Sequence, residues 1–211
     1  AAQMWDIPVE DVAWEKGHAV AKAERHGNLG RLSLKEIAAA SGTTGGPIAG
    51  HSELVADGAG VSFATHICDV EVDPELGIVR VLRYTSFQDV GRAIHPGYVE
   101  GQMQGGAAQG IGWALSEEYI YDKNGKLDNP SFLDYRMPVT SDLPMLDTVI
   151  IEVPNPKHPQ GVRGVGEVPL VPPLAAVSNA IYNALGQRFY SLPMSPPKVL
   201  AALDGKTAKA A

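Results

Sequence analysis

An α+β fold, with mixed sheets and packed helices, is what the sequence predicts, and three observations predict it. Two β-rich runs, Ala64–Val72 and Ile78–Tyr84, flank the turn Asp73-Pro74-Glu75-Leu76-Gly77, the pattern of a hairpin. Thr148–Val153 alternates as a strand, with Val149, Ile151 and Val153 on one side and Ile150 and Glu152 on the other. Leu174, Val177, Ile181 and Leu185 recur at helical spacing and stop at Gly186.

Composition sets the bounds. The 211 residues suffice for one large domain or two small ones. Apolar content of 45% and charged content of 19% are globular values, while 23 glycines and 16 prolines imply much loop-shaped backbone. A net charge of −7 without a basic stripe excludes nucleic acid as a main partner. The single cysteine, Cys68, excludes an internal disulfide and any cysteine-cluster metal or iron–sulfur site in this chain, and it reads as a small buried strand residue. No stretch offers the roughly 18 uninterrupted apolar residues of a membrane helix, so no membrane span is expected. The N-terminus has neither an initiator methionine nor a signal-like run, and it opens as if in mid-helix. A fragment or processed subunit is the expectation, with the cytoplasm as its location, or the periplasm if an upstream signal is missing.

Taken in order, Ala1–Ile7 reads as the tail of a helix ending at Pro8, and Val12–Ala23 as two short strands about Lys16-Gly17-His18. Ser33-Leu34-Lys35-Glu36 fits a capping box, which predicts a short helix through Ala40 stopped by Gly42. Thr43–Gly60 is Gly/Ser-rich loop. The alternation of Ile78–Tyr84 is broken, which suggests cover on both faces of that strand. Phe87–Pro96 reads as a loop carrying Asp89, Arg92 and His95. A helix is predicted from Val99 to about Tyr119, and its five glycines need a reason, because glycine is poor in helices. Gly101, Gly105, Ala108 and Gly112 share one face, bare enough for a backbone or a flat ligand to come close. Gln102 falls near the N-terminal end, where free N–H groups favour anions. Tight helix–helix packing explains the small residues equally well. Asp122–Gly125 is a turn, and the chain is irregular from Asn129, where a subdivision of the single 1–211 domain is loosely placed. Arg188–Leu192 reads as a strand, Pro196–Leu203 as a helix capped by Ser195, and Asp204–Ala211 as a frayed tail.

The run Gly161-Val162-Arg163-Gly164-Val165-Gly166-Glu167 carries the chemistry. Three glycines allow tight turns and close approach, and an acid closing such a loop before a helix is a candidate general base. A first-turn acid serving only the helix dipole is the alternative. No GxxxxGK(S/T), GxSxG, HExxH or strand-to-helix GxGxxG occurs, and the six histidines lack ligand spacing, so no protein-ligated metal is expected.

The ordered motifs Val70-Glu71-Val72-Asp73, Asp89-Val90-Gly91-Arg92-Ala93-Ile94-His95-Pro96, Glu100–Gly112, Leu133–Pro138, Gly164-Val165-Gly166-Glu167 and Leu192–Pro196 span most of the chain. Together they resemble the C-terminal part of the molybdenum-binding large subunit of the xanthine dehydrogenase/aldehyde oxidase family. The resemblance implies an oxidative hydroxylase with a molybdopterin-type molybdenum cofactor, the cytosine dinucleotide form being one option, whose metal is held by the pterin dithiolene. It implies Glu167 as the base that deprotonates a molybdenum-bound hydroxyl. It implies Gln102 as a hydrogen-bonding partner of the cofactor, with Gly101, Gly105 and Gly166 lining it. The family's upstream cofactor loops lie N-terminal to anything here, so the remainder of the molybdenum-binding subunit is an expected partner. Iron–sulfur clusters and FAD are expected on other chains or domains, and a small molecule, an aldehyde or N-heterocycle, as substrate. Alone the chain is expected to be inactive. A non-catalytic scaffold derived from such an enzyme is the competing reading.

Overall fold

Lys16 and Gly17 adopt left-handed dihedrals, φ 47° and 78°, the paired positive values that let a two-residue turn close a hairpin. In this computed structural model, which describes residues 1–53, 55 and 60–205, the chain divides into two units, Ala1–Val55 and Ala56–Ala211. Asn129 lies inside the second, where its side chain bonds Ile120 N at 2.9 Å and Glu118 O at 2.7 Å. The polar tail falls mainly on residues 206–211, and part of the expected Thr43–Gly60 loop on residues 54 and 56–59; both lie outside the described residues.

The first unit begins with a short helix, α1 (Ala2–Trp5), and an antiparallel sheet of β1 (Val12–Glu15), β2 (His18–Ala21) and β3 (Arg31–Ser33), with α2 (Ala23–His26) between the last two strands. Asp11, only 3% exposed, ties α2 to the sheet. Arg25 donates to its Oδ1 at 2.8 Å and His26 Nε2 bonds its Oδ2 at 2.7 Å. The His26 bond foremost, then the Arg25 charge, hold this carboxyl below its ordinary value against the opposing effect of burial. The capping box forms as expected: Glu36 N donates to Ser33 Oγ at 3.3 Å and Ser33 N to Glu36 Oε2 at 2.8 Å, starting α3 (Leu34–Ala39).

The second unit is built on the sheet order β4-β5-β6. β4 (Ala64–Val72) and β5 (Val79–Asp89) form the predicted antiparallel hairpin, and β6 (Leu146–Ile151) adds in parallel to β5. A parallel neighbour requires a crossover, and α4 (Pro96–Leu115) supplies it. α5 (Val171–Leu185), ending at left-handed Gly186 as expected, and α6 (Pro196–Leu203) follow. The core joins Val81 and Tyr84 of the sheet to Ala107, Ile111 and Ala114 of α4, Val177 and Ile181 of α5, and Met194. Val168–Leu185 is, by length and a mean hydropathy of 1.2, apolar enough to cross a membrane; here Pro173, Val177 and Ile181 of that stretch are buried in the protein.

Several expectations need correction. The broken alternation of β5 comes from a bulge opposite Asp69/Val70, which leaves Leu82 unpaired and shifts the phase. Cover on both faces is not its cause, since Ile67, Leu82 and Ile151 are exposed. β5 continues past Tyr84 to Asp89, so Asp89 is a strand residue. No strand forms over Arg188–Leu192: Arg188 turns back onto α5, bonding Asn179 Oδ1 at 2.6 Å with its guanidinium 3.8 Å from the Tyr182 ring centroid. Ser195 occupies the N-cap position of α6, yet its hydroxyl makes no capping bond.

Candidate active site

Two anchors bracket the Gly161–Glu167 loop. At its start Gly161, with φ 72°, takes the left-handed turn that glycine permits. Its carbonyl accepts from Arg92 N and Asn155 N, both at 2.9 Å, and Arg163 N donates to Val90 O at 3.0 Å. Gly91, φ 67°, packs so closely here that a Cβ would collide with Gly161 O. Beneath lies an ion pair: Arg163 Nε stands 3.0 Å from Asp89 Oδ2, with the side chains 11% and 8% exposed. At the far end the 3-10 turn Val168–Leu170 leads into α5, closed by Leu170 N donating to Glu167 O at 3.0 Å.

α4 sets where this far end lies. Gln102, Gly106 and Gly110 fall in steps of four, one ridge of the helix. A Cβ on Gly106 would stand 2.9 Å from Pro169 Cβ and 3.1 Å from Leu170 N, and one on Gly110 would stand 2.7 Å from Leu170 O and from Pro173. These two glycines let the backbone after Glu167 lie directly on the helix. One turn earlier on the same ridge, Gln102 Oε1 would be 3.6 Å from a Cβ on Gly166. Gln102 and the Gly166–Glu167 pair therefore come together at one end of this contact.

Glu167 is exposed and occupies the N-cap position of the 3-10 turn, but its carboxylate caps no backbone N–H. The α5 first turn contains no acidic residue. Both facts weigh against an acid that serves only the helix dipole. Gly101 and Gly105 are exposed, and a Cβ on either would meet nothing within 4 Å among the described residues. The expected bare face is open only over this half, because Gly112 is buried beneath Pro138 and Glu117. Gly164 and Gly166 do not use left-handed dihedrals; what they contribute is the absence of a side chain.

Gln102 is not at the free N-terminus of the helix. α4 begins at Pro96, with His95 as cap accepting from Tyr98 N at 3.2 Å, which puts Gln102 in the second turn. Anion binding by free N–H groups thus gives no reason for Gln102; its amide side chain does. The sequence also left Gly106, Gly110 and the Asp89–Arg163 pair without a role. A four-residue glycine spacing on α4 was the available signal for the first two. The groove on the outer sheet face, lined by Ile67, Asp69, Arg83, Thr85 and Phe87, contains none of the predicted site residues. Among the described residues no cluster of three or more His, Cys, Asp or Glu could hold a metal. A metal carried by an organic group would need no such cluster. An open helix face, an amide and an unengaged carboxylate fit a flat organic group carrying such a metal.

Residues 1–144 match the model of a family described as "Molybdopterin cofactor-binding domain". Gly101, Gln102 and Gly105 lie inside that range, and Gly166 and Glu167 beyond it. The chain is 35% identical over 188 residues to the xanthine dehydrogenase molybdenum-binding subunit of Escherichia coli O157:H7, covering 87% of this chain and 25% of that protein. It is 43% identical over 143 residues to the nicotine 6-hydroxylase large subunit of Paenarthrobacter nicotinovorans, covering 66% and 18%. Among solved structures, the Cu,Mo-CO dehydrogenase superposes with a TM-score of 0.80 at 25% identity, over 97% of this chain and 26% of that one. The aldehyde oxidoreductase of Desulfovibrio gigas superposes with a TM-score of 0.63 at 37% identity, over 68% and 15%. The chain spans about a quarter of the length of the xanthine dehydrogenase subunit it matches.

Proposed function

This chain belongs to the molybdopterin cofactor-binding domain family and is similar to molybdenum-binding subunits of xanthine dehydrogenase- and aldehyde oxidoreductase-type enzymes, and we propose that it supplies one wall of such an active site, with Glu167 as general base. The observation that carries this reading is the exposed, uncapped Glu167 held one residue beyond Gly166, against which Gln102 lies.

The cofactor, when bound, would supply a Lewis-acidic metal to acidify an oxygen nucleophile and an acceptor for the hydride, the hydrogen with both electrons, that leaves the substrate carbon. Glu167 takes the proton from that water-derived nucleophile as it attacks the electron-poor carbon of an aldehyde or N-heterocycle. Gln102 offers its side-chain amide to the cofactor as hydrogen-bond donor and acceptor. Gly101 and Gly105 leave the helix bare, so that a flat ring can lie against it at van der Waals distance. The remaining walls come from the rest of a molybdenum-binding subunit. Iron–sulfur and flavin partners would take up the electrons, on other chains or domains, because the one cysteine here cannot ligate a cluster by itself.

In the complete enzyme, Glu167→Gln removes the base while keeping size and hydrogen bonding. Turnover should fall by roughly 10²–10⁴-fold, the range of general acid–base catalysis, while molybdenum and pterin content stay unchanged. Near-normal turnover in that variant overturns the assignment. Absence of molybdenum and tungsten from the natively purified complex would instead favour a non-catalytic scaffold.

A further inference from the structure

Four residues, Gly164 to Glu167, bridge the two anchors of the catalytic loop. Two of them are exposed glycines, and a Cβ on Gly164 would meet nothing within 4 Å among the described residues. A glycine-rich span has much conformational freedom to lose, so the direction in which Glu167 points depends on how firmly both ends are held. The downstream end rests on α4 through Gly106 and Gly110. The upstream end rests on Arg163.

Arg163 is the more elaborate of the two anchors. Its Nε donates to Val153 O at 3.3 Å and stands 3.0 Å from Asp89 Oδ2 as an ion pair, while its Nη1 donates to Val61 O. Asp89 uses its other oxygen, Oδ1, to accept from Gly91 N at 2.9 Å and Val153 N at 3.3 Å. One guanidinium and one carboxylate thereby join the ends of β5 and β6, the Val61 segment and the loop. Only a planar guanidinium offers several donors in a fixed fork; a lysine's single nitrogen cannot stand at both the Nε and Nη1 positions from which Val153 O and Val61 O are reached. A nearly buried pair of this kind costs desolvation and adds little net stability, which makes geometric definition its more natural role.

We propose that the Asp89–Arg163 ion pair is the positioning device for Glu167, fixing the upstream end of its loop so that the carboxylate is held ready beside Gln102. This rests on the reading of Glu167 as base. Arg163 touches no reacting atom; it acts through the loop.

The test compares Arg163→Lys, Glu167→Gln and the double variant in the complete enzyme, using single-turnover reduction by substrate so that slow variants remain measurable. Arg163→Lys should lower the rate at saturating substrate at least tenfold, with KM within twofold and with molybdenum content and unfolding temperature retained. In the Glu167→Gln background the same change should have no further effect, because the group it positions is gone. Additive losses would show that Arg163 supports the pocket generally and overturn the inference, as would an unchanged rate in Arg163→Lys. If Glu167→Gln itself turns over normally, the base assignment fails and this inference with it. A slow Glu167→Gln beside a normal Arg163→Lys removes the inference alone. Should Arg163→Lys lose its fold, Asp89→Asn, which keeps size and one accepting oxygen, is read in the same cycle and by the same criteria.

Discussion

Gln102 Oε1 faces the backbone of Gly166 closely enough that a Cβ there would sit 3.6 Å away, an ordinary van der Waals distance. Gly166 is outside the left-handed region, so alanine at this position meets neither strain nor collision. Gly166→Ala should leave unfolding free energy within about 0.5 kcal/mol of the parent. Gly91→Ala should cost on the order of 2 kcal/mol or more, because a side chain at φ 67° is strained and its Cβ collides with Gly161 O. Denaturant unfolding of both variants checks the contrast. Equal stabilities would mean that the loop is not held as described.

The glycines of α4 should divide into two classes. Gly101→Ala and Gly105→Ala replace a poor helix former on an open face, and each should stabilise by up to about 1 kcal/mol. Gly106→Ala and Gly110→Ala push a methyl against Pro169, Leu170 and Pro173 and should destabilise by about 1–3 kcal/mol. If the open face receives the cofactor, Gly105→Ala should also lower the molybdenum and pterin content of the complete enzyme in spite of its greater stability. Full loading would place the cofactor elsewhere.

This division was only half legible in the sequence. Small residues occupy two faces of α4, and spacing alone could not say which face meets protein. The deciding partner, Pro169–Pro173, follows about sixty residues later, and its approach is a tertiary event that no local pattern encodes. Local devices read well: the Ser33/Glu36 capping box, the turn between β4 and β5, and Gly186 all depend on residues within a few positions of one another. The Arg188–Leu192 segment read as a strand because its composition suits one, but a strand also needs a partner, and Arg188 is held by α5 instead. Glu167 was named because several motifs occur in order. The Asp89–Arg163 pair that braces its loop was not, because its members are far apart in sequence and each is unremarkable alone.

Cys68 on β4 should be a slow thiol. Burial first, then the neighbouring Asp69 charge, pushes its pKa up to about 12 from an ordinary 9.0. The thiolate is the reactive form, so near pH 8 alkylation should run roughly 10³-fold slower than for an unperturbed thiol. Iodoacetamide labelling followed by mass spectrometry, with and without denaturant, measures this directly. Rapid native labelling would show that β4 opens readily.

His66, opposite Ser86 across the hairpin, should make this unit acid-sensitive. Its Nδ1 bonds the Tyr84 hydroxyl at 2.7 Å, and the two rings meet edge to face at 5.5 Å. Its Nε2 is buried without a partner among the described residues, and burial lowers its pKa to about 4 from 6.5. The folded state therefore requires the neutral ring, whereas the unfolded chain takes up a proton below pH 6.5. The stability tied to this histidine is fully present above that pH and is lost as the pH falls from 6.5 towards 4. Allowing for the ring's partial exposure, the loss should be about 1–2 kcal/mol. His66→Gln stays uncharged throughout, so its unfolding midpoint in urea should vary less between pH 7 and pH 4.5 than that of the parent. Parallel profiles for the two proteins would assign the acid sensitivity to the carboxylates instead.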